Sequence, residues 1–544
     1  MPLRFAEPAP DAYRYPLTIR HLLATALATA RDREIVYRDA CRMSYAAFGE
    51  RVGRLASALA ALGVEPGCTV AVLDWDSHRY LEAYFAVPMM GAVLQMVNVR
   101  LSPEQVAYTM DHARAEVALV HRDFMGLVDG PRVQLPRLRA VVAIDDFAGG
   151  QTPDGVAGEY EALLAAADPA YPFVDFDEDA LATTFYTTGT TGLPKAVCFS
   201  HRQIVLHSLV VKAPFGGNIG FGYRDVYMPM TPMFHVHAWG VPHAATMLGM
   251  KQVYPGRYDP AALLALRRAE GVTYSHCVPT ILQMLLAEAE RTGDDLSGWT
   301  ITIGGSLMTH ALAERARAHG INVVAGYGMS ETCPMLTMAR PDDRDASDAE
   351  RIATISKAGV AVPLTQVRVV DDAMRDVPRD GRTQGEVVVR APWLTPCYVG
   401  DARASAELWR GGWLHTQDVG TIDERGTLQI RDRLKDVIKS GGEWICSLTL
   451  EELIAPLPGV AEVSVIGVPH PRWDERPIAV VVPRDPADPP TLDAVNTGLG
   501  AAVATGAISR YALVDRVELT DALPRTSVGK IDKKELRRIY AGAA

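Results

Sequence analysis

The stretch TFYTTGTTGLPKAVCFSH, from Thr184 to His201, carries the strongest structural signal in the chain. A β-rich approach leads into a loop with four threonines, two glycines, a proline and a lysine. The glycines let the backbone turn tightly and expose its N–H groups, and the hydroxyl and ammonium groups add further hydrogen-bond donors. This combination predicts a loop that wraps a polyphosphate. A flexible surface turn rich in threonine and glycine is the alternative.

This loop differs in its spacing from the common phosphate loop G-x-x-x-x-G-K-[ST]. Gly189 and Gly192 are only three residues apart, and alanine follows Lys195. Just beyond the loop, Ser200 is predicted to begin a helix, with Gln203 completing a capping box.

The composition indicates a soluble globular protein. Of the 544 residues, 48% are hydrophobic and 22% are charged. The net charge is −11 and no long basic block offsets it, so a nucleic-acid partner is not expected. An anionic substrate would need local positive groups, because the overall field opposes it.

The compartment is predicted from the cysteines and the apolar segments. Seven cysteines are scattered without a C-x-x-C pair, which argues against a zinc cluster and fits a reducing compartment. The first residues lack the apolar core of a signal peptide, and the apolar stretch 86–99 is too short to span a bilayer. We expect a soluble cytoplasmic protein without a transmembrane segment.

Helical and strand patterns alternate through most of the chain. Residues 45–63 have helical spacing and end at a glycine, and 69–75 follow as a short apolar strand. Similar units recur around 115–120 and 272–286. This alternation predicts an α/β protein with largely buried sheets. Three stretches are predicted as surface loops or joints, namely 145–179, 340–351 and 482–490.

A dense charge run at 431–439 precedes a new block of sequence. In that block, Thr449 and Glu452 have the spacing of a capping box ahead of a helix that should end at Pro458 and Gly459. The apolar strand VAEVSVIGV comes next. The last ~105 residues therefore read as a small α+β domain of ordinary size.

Six further motifs accompany the loop, in order and across nearly the whole chain. They are PMFHVHAWG (232–240), GGS (304–306), GYGMSET (326–332), HTQD (415–418), RDRLKDVIKSGGEW (431–444) and PRTSVGKID (524–532). Together the seven resemble the signatures of the adenylate-forming superfamily. That superfamily includes acyl-CoA synthetases, luciferases and peptide-synthetase adenylation domains, and PMFHVHAWG is most similar to the fatty-acid–CoA ligase branch.

The resemblance implies both an architecture and a reaction. The architecture is a large N-terminal domain of stacked sheets flanked by helices (1–431), a hinge (432–437) and a small mobile α+β C-terminal domain (438–544). The reaction joins a carboxylic acid to ATP, giving acyl-AMP and pyrophosphate, and then to coenzyme A, giving acyl-CoA and AMP. ATP, Mg²⁺ and coenzyme A are the implied cofactors, and similar enzymes suggest a homodimer.

The resemblance also assigns the catalytic and metal-binding roles. Lys530 would bridge the acid carboxylate and the α-phosphate, because two anions cannot approach without a cation. Lys195 and His235 would assist it, and Glu331 would hold Mg²⁺ with the Thr187 hydroxyl. The alternative for Lys530 is a solvated surface lysine, and the alternative for Glu331 is a carboxylate at a helix N-terminus.

The nucleotide site has the longest set of implied residues. Tyr327 would pack on the adenine, and Asp418 would accept from the ribose hydroxyls with Arg433 as its basic companion. Gln417 stands where glycine is usual, and Ser330 where threonine is usual. A structural salt bridge is the alternative for Asp418. The full set is Thr187, Thr188, Gly189, Thr190, Thr191, Gly192, Lys195, Gly304, Gly305, Ser306, Gly326, Tyr327, Gly328, Met329, Ser330, Asp418, Arg433 and Trp444.

For the acid, the resemblance makes Trp239 the gate of an apolar tunnel, with His235 on the same wall. Leu307 and Met308 stand where relatives have smaller residues, so we expect a short or medium aliphatic acid, including acids that carry a thioether. Plain core packing is the alternative for Trp239. The implied hinge residues are Asp432 and Lys435, and the implied coenzyme A residues are Lys439, Ser440, Gly441 and Gly442.

Two rival functions remain open from the sequence. One is an adenylation enzyme that loads a separate carrier protein. The other is a non-catalytic protein that binds acyl nucleotides, against which the retention of Lys195, Glu331, Asp418 and Lys530 argues, since each has a task in turnover.

Overall fold

The computed structural model describes residues 3–130, 134–146, 155–187, 193–213, 221–341, 347–440, 443–525 and 531–541. In these residues the protein has two large sheets that are mostly parallel, a small antiparallel sheet and a C-terminal sheet with its own core. Helices pack against each of the large sheets. The predicted α/β class, with a large N-terminal part and a smaller C-terminal part, is confirmed.

The first large sheet has nine strands and is parallel through its centre, with antiparallel pairs at both ends. Its central strands read as short apolar runs because both faces are covered. In spatial order the strands are Val360–Ala361, Met335–Met338, Asn322–Gly328, Thr300–Ile303, Tyr274–Cys277, Val226–Met230, Lys251–Tyr254, Glu34–Tyr37 and Cys41–Ser44.

The second large sheet has seven strands, and its last pair is an antiparallel hairpin. In spatial order they are Gly158–Glu159, Ala140–Ile144, Ala115–His121, Thr69–Leu73, Val93–Met96, Leu181–Thr187 and Lys195–Ser200. The hairpin lies at the edge of this sheet, and the predicted phosphate loop joins its two strands.

A fully buried helix, His78–Met89, packs against strands of both large sheets. All of its residues are buried, and its sequence, HRYLEAYFAVPM, is apolar on nearly every side. A helix that is apolar all round is stable only inside a core. This helix therefore stacks the two sheets into one large body.

The chain then passes from a four-stranded antiparallel sheet to the C-terminal sheet. The four strands are Gln366–Val370, Gly385–Arg390, Leu414–Ile422 and Leu428–Arg433. The five strands are Glu443–Ile445, Ile438–Ser440, Asp474–Pro483, Val460–His470 and Arg516–Leu519. Residues 434–437 form the turn between the two sheets, and both core clusters beyond it consist of residues from 438 onward. The domain limits and the hinge stay predictions.

The remaining elements are helices. The α-helices are Arg20–Thr29, Tyr45–Ala61, His78–Met89, Pro103–His112, Gly126–Asp129, Tyr160–Ala166, His201–Lys212, Val241–Met247, Pro260–Glu270, Pro279–Thr292, His310–Ala318, Asp348–Ile355, Ala402–Leu408, Ser447–Ile454, Leu492–Ala504 and Lys533–Tyr540. Short 3₁₀ turns span Arg122–Phe124, Ser330–Thr332, Arg410–Gly412 and Arg510–Ala512. None of the helices in the described part of the chain has the length and apolar character needed to cross a bilayer.

Some local predictions are confirmed and others are wrong. The helix Tyr45–Ala61 and the strand Thr69–Leu73 occupy the predicted stretches. The two predicted loops 145–179 and 340–351 are wrong in part, because each contains a helix or its start. The first holds Tyr160–Ala166, capped by Glu159, and in the second Ser347 and Glu350 form a capping box.

The capping box predicted for Thr449 and Glu452 is wrong. The helix begins two residues earlier, at Ser447, so Thr449 lies inside its first turn. A carboxylate from outside the helix replaces the expected local cap, because Asp432 Oδ2 accepts from both the backbone N–H and the hydroxyl of Ser447. Spacing within the helix could not reveal this partner.

Candidate functional site

The base of the predicted phosphate loop is an antiparallel hairpin. The strand register pairs Thr187 with Lys195, so these two residues stand opposite each other at the mouth of the loop. Beyond the hairpin, the Ser200 and Gln203 capping box is confirmed. The loop residues predicted to bind phosphate lie outside the described residues, namely Thr188, Gly189, Thr190, Thr191 and Gly192.

Lys195 and Glu331 are connected through Tyr398, which the sequence analysis missed. The Lys195 ammonium lies 4.8 Å from the centre of the Tyr398 ring. The Tyr398 hydroxyl donates to Glu331 Oε1 at 2.6 Å, and Glu331 is only 6% exposed. Burial and the Glu331 carboxylate raise the pKa of Tyr398, so its hydroxyl stays protonated and keeps donating. A lone tyrosine far along the chain offered no motif by which to find it.

The metal-binding residues predicted at this site fit Mg²⁺. Glu331 and Thr187 offer only oxygen atoms, which are the ligands that Mg²⁺ prefers. Among the residues that the structure describes, no three His, Cys, Asp or Glu side chains gather so as to hold a metal ion. A Mg²⁺ ion at Glu331 would take its other ligands from phosphate and water, as Mg²⁺ usually does.

Two of the predicted nucleotide residues, Tyr327 and Arg433, contact a third, Asp418. The Tyr327 hydroxyl donates to Asp418 Oδ2 at 2.6 Å, and Arg433 Nε lies 2.8 Å from Asp418 Oδ1. The Asp418 side chain is only 4% exposed. Burial and the Asp418 carboxylate raise the pKa of Tyr327, while Asp418 and, more weakly, Glu331 raise the pKa of Arg433. Tyr327 and Glu331 both belong to the short segment 326–332, so the Tyr327 hydrogen bond keeps the Asp418 group close along the chain to Glu331.

Gln417 stands where glycine is usual in the motif, and its backbone conformation is unusual for a residue with a side chain. Gln417 adopts a φ of 58°, in the left-handed region that glycine enters freely. For a residue with a Cβ this conformation costs about 1–2 kcal/mol. The Gln417 carbonyl accepts from the Leu434 N–H at 2.8 Å, which ties the strained residue to the turn after Arg433.

Trp239 covers the GGS loop. A Cβ added to Gly304 would lie 3.0 Å from Trp239 Cη2 and 3.2 Å from the Gly326 carbonyl, so the ring and the loop are in close contact. Trp239 also packs on His276, with ring centres 4.9 Å apart. His276 is buried and bonded at both nitrogens, to Tyr227 and Thr231. The surroundings of Trp239 are thus aromatic and partly polar, which was not predicted from the sequence.

The backbone that carries Trp239 is left-handed. Val236, His237, Ala238 and Trp239 have φ values of 51°, 56°, 45° and 59°. Each costs roughly 1–2 kcal/mol for an L-residue, and strain of this kind persists where the surroundings over-determine it, often at functional sites. Gly240 closes the turn at φ 72°, where a Cβ would lie 2.5 Å from His207 Nδ1.

The remaining predicted residues of this part lie around the same strands and loops. Gly328 has no room for a side chain, because a Cβ there would lie 1.7 Å from the Pro334 carbonyl. Met308 is buried in the second hydrophobic core. The other predicted residues here are half-buried or exposed, namely His235, Gly305, Ser306, Leu307, Gly326, Met329 and Ser330.

The C-terminal part anchors one predicted hinge residue. Asp432 is buried against Ser447, and the Lys533 ammonium lies 2.9 Å from Glu451 Oε1 in the same small cluster. Lys435 is exposed in the turn 434–437. Of the two predicted hinge residues, Asp432 is thus tied to the C-terminal core, and Lys435 lies in the turn that follows it.

The predicted coenzyme A and catalytic residues of this part are less fully described. The Lys439 N–H donates to Glu475, and Lys439 pairs with Trp444 across a short hairpin. Ser440 is buried beside Arg476. Gly441, Gly442 and Lys530 lie outside the described residues. The functional roles stay predictions for all of the predicted residues in this part, namely Lys439, Ser440, Gly441, Gly442, Trp444 and Lys530.

Comparisons with known proteins agree across the whole chain. The family model described as AMP-binding enzyme matches residues 23–399, and that of the AMP-binding enzyme C-terminal domain matches 449–530. The chain is 41% identical to a long-chain-fatty-acid–CoA ligase of Thermus thermophilus, over 96% of both chains. It is 37% identical to a 3-methylmercaptopropionyl-CoA ligase of Ruegeria pomeroyi, over 91% of this chain and 92% of that one. The solved structure of ATP-bound MatB from Rhodopseudomonas palustris matches with a TM-score of 0.83 and 26% identity, over 97% of this chain and 99% of that one.

Proposed function

Because this chain belongs to the AMP-binding enzyme family, we propose that it is an ATP-dependent acid–CoA ligase. It activates a carboxylic acid as an acyl-adenylate and releases pyrophosphate, and then transfers the acyl group to coenzyme A with release of AMP. The observation that carries the proposal is the buried Asp418 carboxylate, which accepts from Tyr327 at 2.6 Å and lies 2.8 Å from Arg433. Tyr327 shares the segment 326–332 with Glu331, so the groups proposed for the ribose and for the metal-bound phosphates are neighbours along the chain.

The described residues have complementary tasks in the first half-reaction. Asp418 accepts hydrogen bonds from the ribose, and Tyr327, which donates to Asp418, holds that carboxylate in place. Lys195 contributes positive charge at the mouth of the phosphate loop, where the acid carboxylate must approach an anionic nucleotide. Mg²⁺, when bound at Glu331, would supply further charge neutralisation on the phosphates.

Release of AMP tests the proposal directly. The purified protein, ATP, Mg²⁺ and a panel of acids are incubated with and without coenzyme A, and AMP, pyrophosphate and acyl-CoA are separated by chromatography. We expect pyrophosphate with a suitable acid, and AMP and acyl-CoA only when coenzyme A is added. Pyrophosphate without acyl-CoA would instead favour a separate carrier protein as acceptor, and no pyrophosphate with any acid would refute ligase activity.

For the acid, we propose a short or medium aliphatic chain, including thioether acids. Trp239 lies close to Gly304 and packs on buried His276, so bulky aromatic side chains limit the space beside the GGS loop. The Ruegeria relative is named for a short thioether acid and the Thermus relative for long-chain fatty acids, so relatives of this chain include both chain-length classes.

Shortening Trp239 is expected to shift the acid preference toward longer chains. Trp239→Ala removes the ring that covers Gly304, and we expect kcat/KM for acids two methylenes longer than the best wild-type acid to rise by about tenfold. Trp239→Phe keeps an aromatic cover and serves as the matched control, with a smaller shift. Competition assays on mixed acids measure the change. An unchanged chain-length profile in the alanine variant would mean that Trp239 is only a core residue.

The hinge is proposed at 432–437, between the domains 1–431 and 438–544. Lys435→Pro fixes φ in the turn and restricts the preceding residue. We expect thioester formation to fall about tenfold more than acyl-AMP formation, because only the second half-reaction needs the rotated pose. Pyrophosphate exchange measures the first step and acyl-CoA yield the second. Lys435→Ala is the control, because it removes the charge but leaves the backbone free to rotate. Equal loss of both half-reactions in the proline variant would argue against a hinge here.

A further inference from the structure

Two free cysteines face each other beside the proposed phosphate site. An antiparallel bridge pairs Val197 with Tyr398, so Cys198 stands directly opposite Cys397. Opposite residues in such pairs have Cα atoms about 4.5–5.5 Å apart, inside the range of about 4.4–6.8 Å that a disulfide spans. Cys198 and Cys397 are both free cysteines, without a disulfide to any other residue in the described part of the chain.

Thr395 holds the two backbones together at this point. Its hydroxyl accepts from the Cys198 N–H at 3.2 Å and lies 3.0 Å from the carbonyl oxygens of Cys198 and Cys397. The Val399 N–H donates to the Ala196 carbonyl at 3.0 Å one step further along. Because the backbones are fixed, closing a disulfide requires mainly a change of side-chain rotamers.

Each cysteine is close along the chain to a residue of the proposed site. Cys198 lies on the strand that begins at Lys195, and Cys397 directly precedes Tyr398. Tyr398 in turn contacts both the Lys195 ammonium and the Glu331 carboxylate. A small displacement of the Lys195–Ser200 strand would therefore move the Lys195 ammonium, and a small displacement of the Cys397 segment would move the Tyr398 hydroxyl that bonds Glu331.

We propose that Cys198 and Cys397 form a reversible disulfide that slows the adenylation reaction. This effect on activity rests on the proposed function, whereas formation of the disulfide does not. In a reducing compartment such pairs occur mainly as transient redox sensors. The oxidant is a peroxide, and a thiol reductant restores the two cysteines.

The two cysteines have different roles in the reaction because they differ in exposure. Cys397 is partly exposed and its thiolate attacks one peroxide oxygen, giving a sulfenic acid and hydroxide. The Cys198 sulfur then attacks the sulfenic sulfur, and its proton leaves with the hydroxyl as water. Two thiols and one hydrogen peroxide thus give one disulfide and two waters. Burial raises the pKa of the Cys198 thiol to about 12, so Cys198 is the poorer nucleophile and Cys397 is the first target of the peroxide.

The test uses the whole reduced protein, treated with hydrogen peroxide and then desalted. Peptide mass spectrometry under non-reducing conditions should find a cross-linked peptide that joins Cys198 to Cys397. Acid-dependent pyrophosphate exchange should fall by about tenfold, because displacement of a reactive group by an ångström has effects of this size or more. Dithiothreitol should restore it.

Cysteine variants distinguish inactivation through the Cys198–Cys397 disulfide from inactivation by oxidation elsewhere in the protein. Cys397→Ala should keep its activity after peroxide, whereas the matched control Cys68→Ala, at another half-buried cysteine, should be inactivated like the wild type. Cys198→Ala provides a second variant. Absence of the cross-linked peptide in the wild-type protein would overturn the proposal even without any variant. A disulfide that leaves activity unchanged, or inactivation that persists in Cys397→Ala, would overturn the regulatory role.

Discussion

Replacing Lys530 by alanine is expected to slow acyl-adenylate formation by about 10²–10³-fold, the usual effect of removing one preorganised charge stabiliser. Lys530 lies outside the described residues, so this expectation depends on the motif PRTSVGKID and on the chemistry. The acid carboxylate and the α-phosphate are both anionic, and an ammonium between them lowers the barrier to attack. Pyrophosphate exchange at saturating ATP and acid measures the step.

Two nearby lysines sharpen this test. Lys533 is bonded to Ser447 and Glu451, and Glu451 in turn accepts from the Val465 N–H, so Lys533 belongs to the C-terminal core. Lys534 is exposed on the same helix and is the matched control. We expect Lys534→Ala to behave like the wild type. Less than a tenfold loss for Lys530→Ala, or equal losses for the two variants, would refute the catalytic role.

Glu331→Gln is expected to lower the adenylation rate by about 10²-fold and to raise the Mg²⁺ concentration needed for half-maximal rate. Glutamine keeps the size of the side chain and an oxygen that can accept from the Tyr398 hydroxyl. The substitution therefore removes little except the negative charge. Initial rates across a Mg²⁺ titration, at constant free ATP, separate the loss of metal affinity from a loss of maximal rate.

Tyr398→Phe is the control for this variant. It removes the 2.6 Å hydrogen bond to Glu331 and leaves both the carboxylate and the aromatic face toward Lys195. We expect a smaller loss of rate and an almost unchanged Mg²⁺ dependence. If Glu331→Gln lowered the melting temperature but left the Mg²⁺ titration unchanged, Glu331 would be a structural residue of the turn.

The fold class follows from the sequence because hydrophobic periodicity and glycine positions record local conformation. The motifs also indicate Tyr327, Asp418 and Arg433, and in the structure both Tyr327 and Arg433 lie within hydrogen-bond distance of Asp418. Tyr398 could not be found in this way, because its partner Glu331 is 67 residues away and one tyrosine without a motif has no distinguishing pattern.

The capping box wrongly predicted at Thr449 has the same cause, a bonding partner that is distant along the chain. Its spacing was right for a helix start, yet the helix begins at Ser447 because Asp432 supplies the acceptor from another sheet. By contrast, the Ser200 and Gln203 box is confirmed, since both of its partners lie within one helical turn.

By itself, the sequence determined the α/β class, the β-rich approach to the phosphate loop and the helix starts whose partners are near along the chain. Only the tertiary structure decided which buried polar groups meet, Tyr398 with Glu331 and Asp432 with Ser447, and that Cys198 faces Cys397. The physical reason is that backbone preferences act over a few residues. A buried donor or acceptor must find a partner wherever packing places one, because leaving it unpaired costs about 1–3 kcal/mol.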